Sequence, residues 1–229
     1  MSGGRKLAVL GAAALVALTL GGCGSGTESA DRAKAFQRVL QGVIEQRTGG
    51  PPPTVGPEQI SAAVRETDQP LLYARFSVTG NSAIMIGIED NGPYTTFATG
   101  ARQTITLRDG FLTATRGMGG DLMSVDIDAV RALISARRAG QATRIMRFLN
   151  AEDATYEVVL DCRVTPGETR RVEVGAIATT ATEVTESCTG RRGRQFTNTY
   201  MIDPDGRAVV SSQWGSDLLA QVDLRVLRF

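Results

Sequence analysis

From Leu71 to the C-terminus, short apolar runs are cut apart by residues that reverse a chain, and few folds other than an antiparallel sheet accept that pattern. Leu71–Val78, Ala83–Glu89, Tyr94–Thr99, Arg102–Arg108 and Phe111–Arg116 read as a meander. Asn91-Gly92 and Asp109-Gly110 supply the residues that two-residue hairpin turns demand, because both central positions take positive φ. Ile105 and Leu107 alternate with Thr104, Thr106 and Arg108, as in a sheet with one face in water. Farther on, Tyr156, Val158, Leu160, Cys162 and Val164 share a face, with Glu157, Asp161 and Arg163 opposite. Pro166-Gly167 is predicted to turn the chain into a strand over Arg171–Ile177. Phe196, Tyr200 and Ile202 mark another strand, which Asp203-Pro204-Asp205-Gly206 ends. Ala208–Trp214 and a last strand through Val222, Leu224 and Val226 complete the series. The expected class is mainly β: an antiparallel sandwich or barrel-like domain with N-terminal and peripheral α-helices.

The helices are few. Phe36, Val39, Leu40, Val43 and Ile44 form one apolar stripe, and Gly49-Gly50 followed by Pro51-Pro52-Pro53 ends it. A second helix is predicted after Pro57, turning Ile60, Ala63 and Val64 inward, so the N-terminal helices occupy 31–66. A third is predicted from Ile127 to about Arg138, capped by Asp126, with Val130, Leu133 and Ile134 inward.

The N-terminus reads differently. Arg5 and Lys6 precede 14 apolar or small residues, Leu7 to Leu20. That run is shorter than the roughly 20 residues a membrane span needs, and its order is that of a secretory signal. Leu20-Gly21-Gly22-Cys23 then forms a lipobox, so residues 1–22 are expected to be removed and Cys23 to carry the acyl chains. Each buried methylene contributes about 0.8 kcal/mol, and two or three long chains hold a protein at a membrane almost irreversibly. Gly24 stands where an inner-membrane retention signal shows Asp, which favours the outer membrane. Residues 23–30 read as a lipidated, flexible tether, and 31–229 as one β-rich periplasmic domain.

Removing the signal leaves 23 basic against 24 acidic residues, a net charge of −1, which offers no basic surface for nucleic acid. Lys6 and Lys34 are the only lysines; this arginine bias fits a GC-rich genome or planar recognition of anions. The chain has no histidine, which removes Ser-His-Asp and Cys-His catalysis and imidazole-dependent zinc sites. No metal site, cofactor or catalytic residue is expected. With Cys23 acylated, Cys162 and Cys188 remain, and an even pair in an oxidising compartment most simply forms a disulfide.

Several segments carry candidate chemistry. In Thr115-Arg116-Gly117-Met118-Gly119-Gly120-Asp121 the glycines permit tight turning, either as a plain loop or as a cradle of amides around an anion or sugar. The spacing fits neither a Walker loop nor a dinucleotide fingerprint. Glu89-Asp90 and Asp203/Asp205 fall in predicted turns, and Asp126 in a predicted cap beside Asp128, so paired acids for glycan hydrolysis are weakly indicated. Arg191-Arg192-Gly193-Arg194 is either a solvated loop or a contact for acidic polysaccharide or lipid phosphate. Trp214, the only tryptophan, is a core residue or a sugar-stacking platform.

The lipobox, the Arg116-Gly117…Gly120-Asp121-Leu122 segment and the late Gln213-Trp214 together resemble the YjbF/GfcB lipoproteins of exopolysaccharide and group 4 capsule production. The resemblance implies a β-rich periplasmic domain tethered to the outer membrane through Cys23. It also implies work beside an outer-membrane β-barrel protein and a periplasmic export component, with polysaccharide as a further candidate partner. It supplies no catalytic residue; Arg116, Gly117, Gly120, Asp121, Gln213 and Trp214 become candidates for structural, partner or glycan contact. The expected function is a non-enzymatic accessory in exopolysaccharide secretion or assembly. A carboxylate-dependent glycan-modifying enzyme and a lipid or lipoprotein carrier with an apolar cavity are the alternatives.

Overall fold

The computed structural model describes residues 54–149 and 154–229. The signal segment, Cys23, the tether and the stripe from Phe36 to Ile44 lie outside the described residues. Helix α1 (Pro57–Glu66) comes first, followed by strands β1 (Leu71–Phe76), β2 (Ser82–Asn91), β3 (Tyr94–Ala98), β4 (Thr104–Arg108), β5 (Phe111–Arg116) and β6 (Leu122–Asp126). Helix α2 (Asp128–Ser135) leads to β7 (Gly140–Leu149), β8 (Thr155–Val174) and β9 (Ile177–Gly190). A 3-10 turn at Arg191–Gly193 precedes β10 (Gln195–Ile202), β11 (Ala208–Ser216) and β12 (Ala220–Arg228).

Among the described residues the strands form one antiparallel sheet, ordered β5-β4-β3-β2-β1-β12-β11-β10-β9-β8-β7-β6. The first and last strands pair in its middle, while its two edges, β5 and β6, are consecutive in the chain. The sheet therefore curls into a near-barrel, which resolves the sandwich-or-barrel expectation. Every strand contributes alternate residues to the interior, which is filled by side chains such as Leu72, Met85, Phe111, Leu122, Phe148, Tyr200 and Leu224. The loops fall on two rims. One carries 77–81, 99–103, 117–121, 191–194 and 217–219; the other carries the β4–β5 turn, α2, the β8–β9 turn and 203–207.

The turns show why the strands stop where they do. Asp109 and Gly110 occupy the two-residue β4–β5 turn with φ of 54° and 84°, as the hairpin rule requires. Gly110 is needed twice over, since a Cβ there would lie 1.9 Å from the Ala208 carbonyl oxygen. The β2–β3 turn shifts by one residue from its expected place: Asn91 pairs with Tyr94, so Gly92 and Pro93 are central.

Other expectations need correction. Pro166-Gly167 does not reverse the chain, because β8 runs on to Val174 and the register slips between Pro166 and Thr169. A proline has no N–H for the ladder, and a bulge absorbs it without ending the strand. The reversal comes at Gly175 and Ala176, where the amide of Ala176 donates to the carbonyl of Leu227 at 2.8 Å. The distal part of the β8–β9 hairpin thus lies on the outer face of the sheet, with Val172 and Ile177 packed beside Ala181, Met201 and Val209. Asp126 is not a helix cap: it ends β6, Ile127 holds the N-cap position of α2, and no side chain caps it. The helix stops at Ser135, short of Arg138, because Arg137 turns left-handed at φ 52°. Glu89 and Asp90 lie inside β2 and not in a turn.

Helix α1 follows expectation. Gly56 precedes Pro57 at the first helical position, and Gln59 Oε1 accepts from the Gly56 amide at 2.7 Å, tying the first turn to its start. Ile60, Ala63 and Val64 cover Leu71, Tyr73, Ile86 and Leu227 on the outer face. Cys162 and Cys188 sit directly opposite on β8 and β9, bonded and buried. With a sequence separation of 26 residues, the bond is worth about 3.5 kcal/mol by loop-closure entropy. Replacing both cysteines with Ala is expected to lower the free energy of unfolding by about 2–4 kcal/mol, read as an earlier urea midpoint with a steeper slope, because the unlinked chain unfolds to a more expanded state.

Candidate functional site

The two segments singled out in the sequence meet at the sheet's own gap. Among the described residues β5 pairs only with β4 and β6 only with β7, and no backbone ladder joins β5 to β6. Side chains do that work. Thr115 Oγ1 donates to Asp121 Oδ1 at 3.1 Å and accepts the Leu122 amide at 3.0 Å. Arg116 Nη1 reaches the carbonyls of Thr115 and Leu122 at 2.6 and 2.8 Å. Its Nη2 reaches the Met123 carbonyl at 3.3 Å. Gly117, Gly119 and Gly120 all take positive φ, at 74°, 78° and 60°, which wraps the loop tightly. The cradle this makes is already filled: Asp121 accepts from the amides of Gly117 and Met118 at 2.7 and 3.1 Å. Gly120 faces Ser216 and Leu218, so the loop lies against the β11–β12 turn.

Gln213 secures the other end of β5. It is fully buried; its Oε1 accepts from the Leu112 amide and its Nε2 donates to the Gly110 carbonyl, both at 2.9 Å. Trp214 stacks on Phe196 at 4.7 Å and meets Phe148 edge-on, while the Arg194 guanidinium covers its ring. Only 8% of Trp214 is exposed, which leaves no ring face free for a sugar.

A second polar centre lies inside the barrel and was not singled out in the sequence. Arg144 and Glu186 are both fully buried, with Arg144 Nη1 at 3.1 and 2.9 Å from the two carboxylate oxygens. Tyr200 donates its hydroxyl to Glu186 Oε2 at 2.7 Å, and Asn198 donates Nδ2 to the same oxygen at 2.8 Å. Asn198 Oδ1 accepts from the Trp214 amide at 2.7 Å, linking the network to β11. Burial pushes the Tyr200 phenol up, and the Glu186 charge adds to that, so it stays a donor. For Arg144 burial pulls the other way, but Glu186 and Tyr200 outweigh it and hold the guanidinium charged. The signal was present in the sequence: Arg144 falls in register with Met146 and Phe148, and Glu186 with Val184 and Cys188, on faces otherwise apolar.

This centre ties β7, β9, β10 and β11 together inside the barrel. Cys162, Cys188 and Glu186 bring three potential metal-ligand atoms within 4.8 Å, but the two sulfurs are bonded to each other and offer no thiolate. Several other acids are engaged as well: the buried Asp203 and the exposed Asp205 with Arg207, Asp128 with Arg108, Asp109 with Arg131, and Asp217 with Arg194. An open groove of about 190 Å³ lies on the outer face, bordered by Arg170, Glu183, Thr199, Ser212, Asp223 and Arg225.

The geometry defines a class of domain: a side-chain-filled, antiparallel near-barrel whose seam is bridged by Arg116, Asp121 and Gln213. The chain belongs to the family described as group 4 capsule polysaccharide lipoprotein gfcB, YjbF, whose model matches residues 35–227. Its fold is similar to that of the hypothetical lipoprotein YmcC from Escherichia coli (K12), with a TM-score of 0.66 at 14% identity, over 90% of this chain and 98% of that one. A putative exported protein with a YmcC-like fold from Bacteroides fragilis NCTC 9343 aligns over 71% of this chain and 95% of its own, at 11% identity and a TM-score of only 0.37. No curated protein matches by sequence.

Breaking the buried pair from one side leaves a charge without its partner. Arg144→Met or Glu186→Leu alone is expected to cost about 3–5 kcal/mol, and the double replacement distinctly less than the sum. Urea unfolding of the four chains of that cycle measures the coupling.

Proposed function

We propose that this protein is anchored by acylated Cys23 to the periplasmic face of the outer membrane and assists exopolysaccharide or capsule secretion without catalysing a reaction. The observation that carries the reading is the family match over 35–227, joined to a lipobox at Leu20–Cys23. Its working partners are an outer-membrane β-barrel protein and a periplasmic export component, with the polysaccharide itself as a further ligand. The side chains favour assistance over catalysis. Hydrolysis of a glycan needs two carboxyl groups facing one another across a cleft, one of them held protonated. Here Asp203 and Asp205 both bind Arg207, and Glu186 is sealed in the barrel with Arg144. A carrier needs an apolar cavity, whereas Phe111, Phe148, Tyr200 and their neighbours fill this interior.

The first test is crosslinking of the acylated protein in intact cells, followed by identification of what co-purifies. An outer-membrane β-barrel or export component in the eluate is the expected result; bound glycan or lipid with no such partner would overturn it. Cys23→Ala is expected to move the protein from the outer-membrane fraction to soluble or inner-membrane precursor, and to lower secreted polysaccharide. Full outer-membrane retention of that variant would refute the anchor.

A further inference from the structure

One rim of the barrel differs from the other. Val78 and Leu218 are 62% and 67% exposed, the two most exposed large apolar side chains among the described residues. Val78 lies in the β1–β2 turn and Leu218 in the β11–β12 turn, and the amide of Ser77 donates to the carbonyl of Gln221 at 3.1 Å, so the two turns are neighbours. The Arg191–Gly193 turn adjoins them through Arg194, which pairs with Asp217. Arg191 and Arg192 are exposed, and neither has a carboxylate partner among the described residues. At the opposite rim the exposed rings are covered by cations: Tyr94 by Arg108, and Phe229 by Arg207 at 4.1 Å. Among the described residues no cation covers Val78 or Leu218 in this way.

The chain reaches the sheet at this same rim. The Val55 amide donates to Ser82 Oγ at 2.7 Å, beside the β1–β2 turn, and α1 then runs along the outer face toward the other rim. Between Cys23 and Thr54 there are 30 residues. From these placements we infer that the rim formed by the 77–81, 191–194 and 217–219 turns lies against the lipid surface, with Val78 and Leu218 entering the acyl boundary and Arg191 and Arg192 meeting headgroup phosphates. The pairing of apolar tips with flanking arginines is the chemistry that suits a bilayer interface, where the tips leave water and the guanidinium groups keep anionic partners. It orients the domain so that the outer-face groove and the distal β8–β9 hairpin face sideways into the periplasm. The inference rests on the Cys23 anchor, so its test must report on both.

The full acylated chain, bearing Leu218→Trp, Val78→Trp or, at the far rim, Tyr94→Trp, is reconstituted into vesicles of phosphatidylethanolamine and phosphatidylglycerol with brominated acyl chains. Each is measured against the parent, which carries Trp214 alone. Flotation reports the anchor, and fluorescence reports the rim. The expected result is a floating protein in which L218W and V78W are blue-shifted and quenched by bromine while Y94W is not. A floating protein in which L218W and V78W are quenched no more than Y94W overturns the inference and leaves the anchor standing. A protein that stays at the bottom of the gradient overturns both.

Discussion

Two edges of one sheet meet between β5 and β6, and the enclosed core depends on how that gap is bridged. An unpaired edge leaves amides and carbonyls facing either water or the interior, and neither suits a barrel whose inner face is apolar. β6 follows β5 through a tight glycine-rich loop and ladders with β7 on its other side, leaving its edge toward β5 unpaired among the described residues. The chain uses polar side chains as rungs instead. Arg116 takes the carbonyls of Leu122 and Met123, Thr115 takes the Leu122 amide, and Asp121 ties down the loop that joins the two strands. Gln213, reaching from β11, takes the amide and carbonyl that β5 presents at its start. Gln213 lies about a hundred residues from Arg116 and Asp121 in the sequence, and the seam is what brings it into one role with them.

The barrel interior faces a different problem, which is choosing one register among many. An apolar interior of Leu, Ile and Val tolerates a slip of two residues with little loss, whereas a buried ion pair does not. Arg144 on β7, Glu186 on β9 and Asn198 and Tyr200 on β10 must all arrive at one point for Glu186 to be satisfied. The Cys162–Cys188 bond fixes β8 against β9 two residues from Glu186. A buried pair adds little net stability, so its contribution here is one of alignment: four strands are held to a common register at the centre of the barrel.

Local chemistry made part of this readable. Asp109-Gly110, the alternation from Tyr156 to Val164, the inward face of α1 and the cysteine pair all behave as their sequence states, because each depends on near neighbours or on compartment. The misreadings share a cause. Pro166-Gly167 looks like a turn in isolation, but the ladder on β9 continues past it and converts it to a bulge. Asp126 looks like a cap, but pairing with Ile145 on β7 claims it as the end of a strand. Glu89 and Asp90 look like turn residues, but opposite Thr95 and Thr96 they extend β2. In each case a tertiary partner overrode a local preference. The glycine-rich loop was ambiguous for another reason: its amides do form a cradle, and only the fold shows that Asp121, one residue beyond the glycines, occupies it.

A filled interior and a plugged seam leave recognition to the outside. The outer face is not uniform. α1 covers it over β1 and β2, the distal β8–β9 hairpin covers it over β10 and β11, and the groove runs along the edge of that hairpin, between Arg170 and Glu183 on one side and Asp223 and Arg225 of β12 on the other. Arg225 stands there over the ring of Tyr73, and among the described residues it pairs with no carboxylate, while Asp223 beside it is shared between Ser212 and Arg75. A guanidinium stacked on an aromatic ring is held in place while its N–H edges still point outward, and such an edge suits a planar anion better than a mobile lysine would. Elsewhere arginine bridges the seam at Arg116, through two nitrogens to three carbonyls, pairs with Glu186 in the core at Arg144 and covers the exposed rings at the far rim; only the first of these tasks draws on the several donors of a guanidinium.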